Sequence, residues 1–130
     1  MEYVTLRNGV QMPILGYGVY QIDNEATKRC VLDAIDVGYR SIDTAQAYYN
    51  EEGVGEAVAQ AVAEGTVKRE ELFLTTKVWI RHAGYEKAKA SIDESLQKLR
   101  TDYVDLLLVH QPFGDYYGPW RAMEEAYKAG

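Results

Sequence analysis

Apolar, β-prone runs alternate with amphipathic helical stretches along the whole chain, and this alternation limits the fold more than any other feature. A run near Ile14–Tyr20 is followed by helical spacing at Ala26, Cys30, Val31 and Ala34; Tyr39–Ala45 is followed by Val54, Ala57, Val58, Ala61 and Val62. Leu72–Trp79 precedes Tyr85, Ala88, Ile92, Leu96 and Leu99, and Val104–His110 precedes a helix starting near Pro119 and carrying Trp120, Met123 and Tyr127. Strands and helices in this order form a parallel sheet with right-handed crossovers. Ahead of them, Asn8-Gly9 predicts a β-hairpin over about residues 3–14, because both turn residues tolerate positive φ. Asn24 is the expected N-cap of the first helix and Gly38 its stop. The chain therefore reads as a single domain over residues 1–130, a hairpin followed by βα units from about residue 15.

Two α/β architectures meet this pattern. An open dinucleotide-binding sheet needs a G-x-G-x-x-G turn opening the first helix, whereas Gly16-Tyr17-Gly18 lies inside the strand. A TIM-type (β/α)8 barrel takes about 250 residues. The present 130 residues would supply about the first four βα units of one. The first and last strands would then be bare apolar edges, which calls for self-association or a complementary half.

Composition removes several partners. Fourteen Lys and Arg against 20 Asp and Glu give a net charge of −6 with no basic stripe, which argues against nucleic acid. No apolar stretch approaches the roughly 18 residues of a membrane span. The lone Cys30, expected as a small core residue, cannot form an internal disulfide, and the start MEYVTLRNGV lacks the basic and apolar regions of a signal peptide. A cytoplasmic location is the expectation. His82 and His110 lack a third ligand at suitable spacing, so no metal site is expected.

Three polar residues recur at strand ends: Asp43, Lys77 and His110, with spacings of 77 − 43 = 34 and 110 − 77 = 33. Residues one βα unit apart at the C-terminal ends of parallel strands lie side by side, where catalytic groups of such folds gather. Alone, each reads as an ordinary strand terminus; three in succession point to chemistry. Tyr48, five residues after Asp43, belongs to the loop over the same end. A buried lysine is costly unless paired, and Asp43 is its natural counter-ion. An adjacent ammonium favours the phenolate, which makes Tyr48 a proton donor, and His110 can orient a carbonyl oxygen against the same hydroxyl. The set suits carbonyl reduction. The same lysine also suits a Schiff-base lyase, and a non-catalytic half-barrel that pairs its own edges is the alternative outside enzymology.

The residues that carry this chemistry also carry a resemblance. GYRSIDTAQAYYNEEGVGEAV, TTKVW and VDLLLVHQP, in that order, resemble three signatures of the aldo-keto reductase family. The resemblance implies a (β/α)8 barrel closed below by a hairpin, and NADPH as the reductant of aldehydes and ketones. It makes Tyr48 the proton donor, Lys77 and Asp43 the pair that acts on it, and His110 the substrate-orienting residue. It further implies Tyr20 and Trp79 as walls of the substrate site, with Gly18, Val19 and Asp43 near the nicotinamide ribose. In the family, strands five to eight supply most other cofactor contacts.

Overall fold

The computed structural model describes residues 1–130. Strands β1 (Tyr3–Thr5) and β2 (Gln11–Pro13) form the expected antiparallel hairpin. Its connection differs from the expected two-residue turn. Leu6 pairs with Val10, and only Gly9 has positive φ, +86°, so the loop is three residues long with glycine at its left-handed position. Asn8 serves it through its side chain, which accepts from the Val10 amide at 3.2 Å.

Strands β3 (Tyr17–Gly18), β4 (Ser41–Asp43), β5 (Phe73–Val78) and β6 (Leu106–Val109) make a four-stranded parallel sheet in sequence order, with α1 (Asn24–Asp36), α2 (Glu51–Ala63) and α3 (Tyr85–Leu99) as crossovers and α4 (Tyr117–Ala129) following β6. The first strand of the sheet is much shorter than the Ile14–Tyr20 run suggests. Ile14 and Leu15 are exposed, because an edge strand has one neighbour and this one bonds β4 only around Tyr17 and Gly18. Apolar residues there report the unfilled side of the sheet rather than a covered strand.

Side-chain alternation along parallel strands divides the sheet into two faces. Ile42, Leu74, Val78, Leu107 and Val109 face the helices, in two apolar clusters with Val31, Ile35, Val54, Val58 and Leu99, and with Ala88, Ile92 and Met123. Asp43, Thr75, Lys77, Leu106 and Leu108 therefore share the other, concave face, with His110 next in step after β6. Helices α2 and α3 touch where Gly55 meets the backbone of Lys98 and Leu99.

Several helix details correct the sequence reading. The N-cap of α1 is Asp23, whose carboxylate accepts from the Ala26 amide at 2.8 Å. Asn24 instead caps the neighbouring α2, accepting from the Gly53 amide at 2.8 Å. Ala26 is exposed and Cys30 only half-buried, because the outer flank of α1 has no neighbouring helix; Thr27, Val31, Ala34 and Ile35 fill the core. Trp120 and Tyr127 lie on the open flank of α4 at 53% and 74% exposure. No helix is long and apolar enough to cross a membrane.

Candidate active site

The concave face brings four of the expected residues together at the C-terminal ends of the strands. Lys77 on β5 and Asp43 on β4 point the same way because Asp43 pairs with Thr75, two residues before Lys77. The Lys77 ammonium lies 2.5 Å from Asp43 Oδ1, 2.9 Å from the Thr44 carbonyl and 3.5 Å from the Tyr48 hydroxyl. Its side chain is 13% exposed and that of Asp43 is 42% exposed, so the counter-ion keeps an open oxygen while the ammonium is covered. Three acceptors match the three hydrogens of the ammonium.

His110 follows β6 and continues its ladder, donating its amide to the Val78 carbonyl at 3.1 Å. Its ring meets Tyr48 edge-on with centroids 5.6 Å apart. Burial, aided by the nearby Lys77 charge, pushes the imidazole below its ordinary range, so the ring is neutral near pH 7. Nδ1 is buried without a partner. A buried orphan acceptor is better tolerated than an orphan N–H, so the proton belongs on Nε2, the nitrogen left for a ligand. The ring can thus donate to an oxygen that also meets the Tyr48 hydroxyl.

The remaining expected residues separate. Tyr20 packs on Tyr48 at 5.0 Å, whereas Trp79 packs on the neighbouring Tyr49 at 5.6 Å and not on Tyr48. Gly18, level with Asp43, is exposed, and a Cβ built on it would meet nothing within 4 Å. Val19 presents no surface to a ligand: its side chain is 0% exposed in the core, its amide donates to the Asp43 carbonyl, and its carbonyl accepts from Asn50. It carries Gly18 and Tyr20 on either side instead.

Tyr48 closes a 3-10 turn, Gln46–Tyr48, that polar side chains fix at both ends. Gln46 at its start reaches Ser91 and Ser95 on α3 and the Trp79 amide. At its end Asn50, wholly buried, donates to the carbonyls of Val19 and Ile22 at 2.8 and 2.9 Å and accepts from Thr44 Oγ1 at 2.7 Å. Glu51 then accepts from Thr76 Oγ1 at 2.8 Å, and burial pushes its carboxyl above the usual range despite that bond. Tyr49 turns the backbone between these anchors in a left-handed conformation, φ 56°. Sequence reasoning singled out none of Gln46, Asn50, Glu51 or Thr76. Their only signal was position, within or beside the segments around Asp43 and Lys77.

Comparison with known proteins follows the same lines. The profile of the Aldo/keto reductase family matches residues 13–130. A glyoxal reductase of Bacillus subtilis is 51% identical over 132 residues, covering 99% of this chain and 46% of its own. The methylglyoxal reductase DkgA of Escherichia coli is 45% identical over 130 residues, covering 98% of this chain and 45% of its own. Among solved structures, an aldo/keto reductase of Brucella melitensis superposes with a TM-score of 0.91 at 44% identity, over 99% of this chain and 49% of that one. An aldo-keto reductase of Bombyx mori in complex with NADP gives 0.91 at 36% identity, over 99% and 47%. The chain thus spans about half the length of the curated relatives it matches. Profile, identity and superposition agree along nearly all of its residues, and the chain belongs to the aldo/keto reductase family.

Proposed function

We propose that this chain is the N-terminal, catalytic half of an NADPH-dependent reductase that converts small aldehydes or ketones to alcohols. The observation that carries the reading is the Lys77 ammonium, held by Asp43 and set 3.5 Å from the Tyr48 hydroxyl, with His110 edge-on to the same phenol. The names of the relatives, glyoxal reductase and methylglyoxal reductase, support small dicarbonyl substrates.

In this reading the substrate oxygen sits between His110 Nε2 and the Tyr48 hydroxyl. As charge develops on that oxygen, Tyr48 gives it a proton, and the adjacent ammonium stabilises the phenolate left behind. Asp43 pairs with Lys77 and holds its side chain aimed at Tyr48. Tyr20, tilted against Tyr48, walls the pocket, and Trp79 bounds it farther out. The exposed Asp43 oxygen beside the open backbone at Gly18 fits a ribose hydroxyl, which supports placing the nicotinamide end of the cofactor here. When bound, the cofactor supplies the hydride. The lyase alternative fits less well, because the Lys77 nitrogen is covered, its side chain 13% exposed, and is engaged by three oxygens, Asp43 Oδ1, the Thr44 carbonyl and the Tyr48 hydroxyl, which leave a carbonyl carbon no approach to it.

The unpaired edges of β3 and β6 support a further part of the proposal, that additional strands complete the sheet in the working enzyme. The lone Cys30 and the bacterial relatives support a cytoplasmic setting.

The test follows NADPH absorbance with glyoxal, methylglyoxal and simple aldehydes, for the 130-residue protein and Tyr48→Phe in parallel, alone and with a polypeptide carrying strands five to eight. The expected result is turnover that Tyr48→Phe lowers by about 10²-fold or more. Equal turnover by both proteins, or none even with the complementary half, overturns the proposal.

A further inference from the structure

Gln46 is buried at 8% exposure, and each atom of its carboxamide is engaged. The side-chain nitrogen lies 3.1 Å from both Ser91 Oγ and Ser95 Oγ and 3.3 Å from the Ser91 carbonyl. The oxygen is shared: the Trp79 amide donates to it at 2.8 Å, and His82 Nδ1 lies at 2.8 Å. The Trp79 N–H is an obligate donor, so it fixes the amide orientation, and the acceptor it meets fixes the histidine too. His82 Nδ1 must carry a proton, whether the ring is neutral or charged. The bond therefore survives titration of His82, which faces Glu94, Lys98 and Lys87 from α3.

One side chain thus ties three elements. Gln46 opens the turn that ends at Tyr48, Trp79 leads β5 into the Ile80–His82 turn, and Ser91 and Ser95 belong to α3. We propose that Gln46 is a positioning residue whose carboxamide oxygen, shared between the Trp79 amide and His82 Nδ1, sets where the Trp79 wall stands relative to Tyr48. The substrate consequence rests on the reductase reading: slackening this tie should change which carbonyl compounds are accepted, chiefly through KM, more than it changes kcat. The tie itself does not depend on that reading.

Amide hydrogen exchange and nitrogen chemical shifts of the 130-residue protein test it without any turnover. In Gln46→Ala the Trp79 amide should exchange about tenfold faster, while the Leu74 amide, held by Asp105 at the far end of β5, keeps its rate. Gln46→Glu keeps an acceptor at the same place, so it should restore Trp79 protection and move the His82 titration midpoint upward. In the unsubstituted protein, neutral His82 should be the Nδ1–H tautomer. An unchanged Trp79 rate in Gln46→Ala, equal acceleration of Trp79 and Leu74, or an Nε2–H tautomer for His82 overturns the proposal. If Gln46→Ala does not fold, Gln46→Met keeps the bulk and removes the carboxamide acceptor, and an unchanged Trp79 amide exchange rate in it is equally fatal. Failure of turnover with the tie intact would instead count against the reductase reading alone.

Discussion

Replacing Gly55 with alanine sets two calculable effects against each other. In the middle of a helix, alanine is favoured over glycine by about 0.5–1 kcal/mol, because glycine loses more backbone freedom on folding. Against this, a Cβ at position 55 would lie 2.2 Å from the Lys98 carbonyl oxygen, 2.7 Å from the Leu99 carbonyl carbon and 2.8 Å from Leu99 Cα. All three are backbone atoms of the facing helix, so no rotamer change relieves the contact. Helix α3 must retreat by about 1 Å to restore ordinary separation, opening gaps around the fully buried Leu99. Overpacking of this kind costs about 1–3 kcal/mol and sometimes more. With the obstruction this deep and rigid, the upper part of that range applies, and Gly55→Ala should lose about 2 kcal/mol net. Urea unfolding followed by circular dichroism at fixed protein concentration reads this as a midpoint lower by about 1 M at unchanged slope. A midpoint equal to or above that of the unsubstituted protein would show that α3 yields freely and that helix propensity governs the site.

Other expectations follow from the caps and the buried ionisable groups. Asp23→Ala removes the cap of α1 and should cost about 1 kcal/mol, whereas a loss confined to the start of α2 would mean that Asn24 is the main anchor there. Burial lowers the imidazoles of His110 and His82, so the unfolded chain takes up protons first; their stabilising contribution is complete above about pH 6.5 and is lost as the pH falls. His110→Gln should flatten the fall in urea midpoint between pH 7.5 and 5.5, and an unaltered fall would count against the neutral, buried ring. Glu51 carries the opposite sign, since its raised carboxyl favours the native state at low pH and loses that advantage as the pH rises. The stability gap of Glu51→Gln over the parent should therefore widen from pH 5 to pH 8, and a gap independent of pH would refute the buried charge.

Much of the frame was legible because periodicity reports burial against neighbours in the chain. Val31, Ala57, Val58, Leu74 and Leu99 follow helical or strand spacing and all enter the core. Asp43, Lys77 and His110 could be aligned from their βα spacing because a parallel sheet converts equal spacing into equal height. The legible part ended where polar groups choose distant partners. Asp23 and Asn24 are both good caps, and only the approach of α2 decides that Asn24 serves Gly53. Gln46 opens a one-turn 3-10 segment and Asn50 and Glu51 lie at the very start of α2, where no period marks a buried face, and their partners lie on β5, α3 and the loop after β3. Ile14 and Leu15 misled for the converse reason, since apolar character alone does not say whether a sheet edge is covered.

The strand order β3-β4-β5-β6 is also the order of synthesis. Each strand can therefore dock on one that left the ribosome before it, with no need to wait for a later neighbour. Asp43 emerges first, then the turn with Tyr48, then Lys77, and His110 last. The ammonium that the finished sheet covers thus meets a carboxylate already waiting on the preceding strand, and at no stage of elongation need its charge enter the growing core alone.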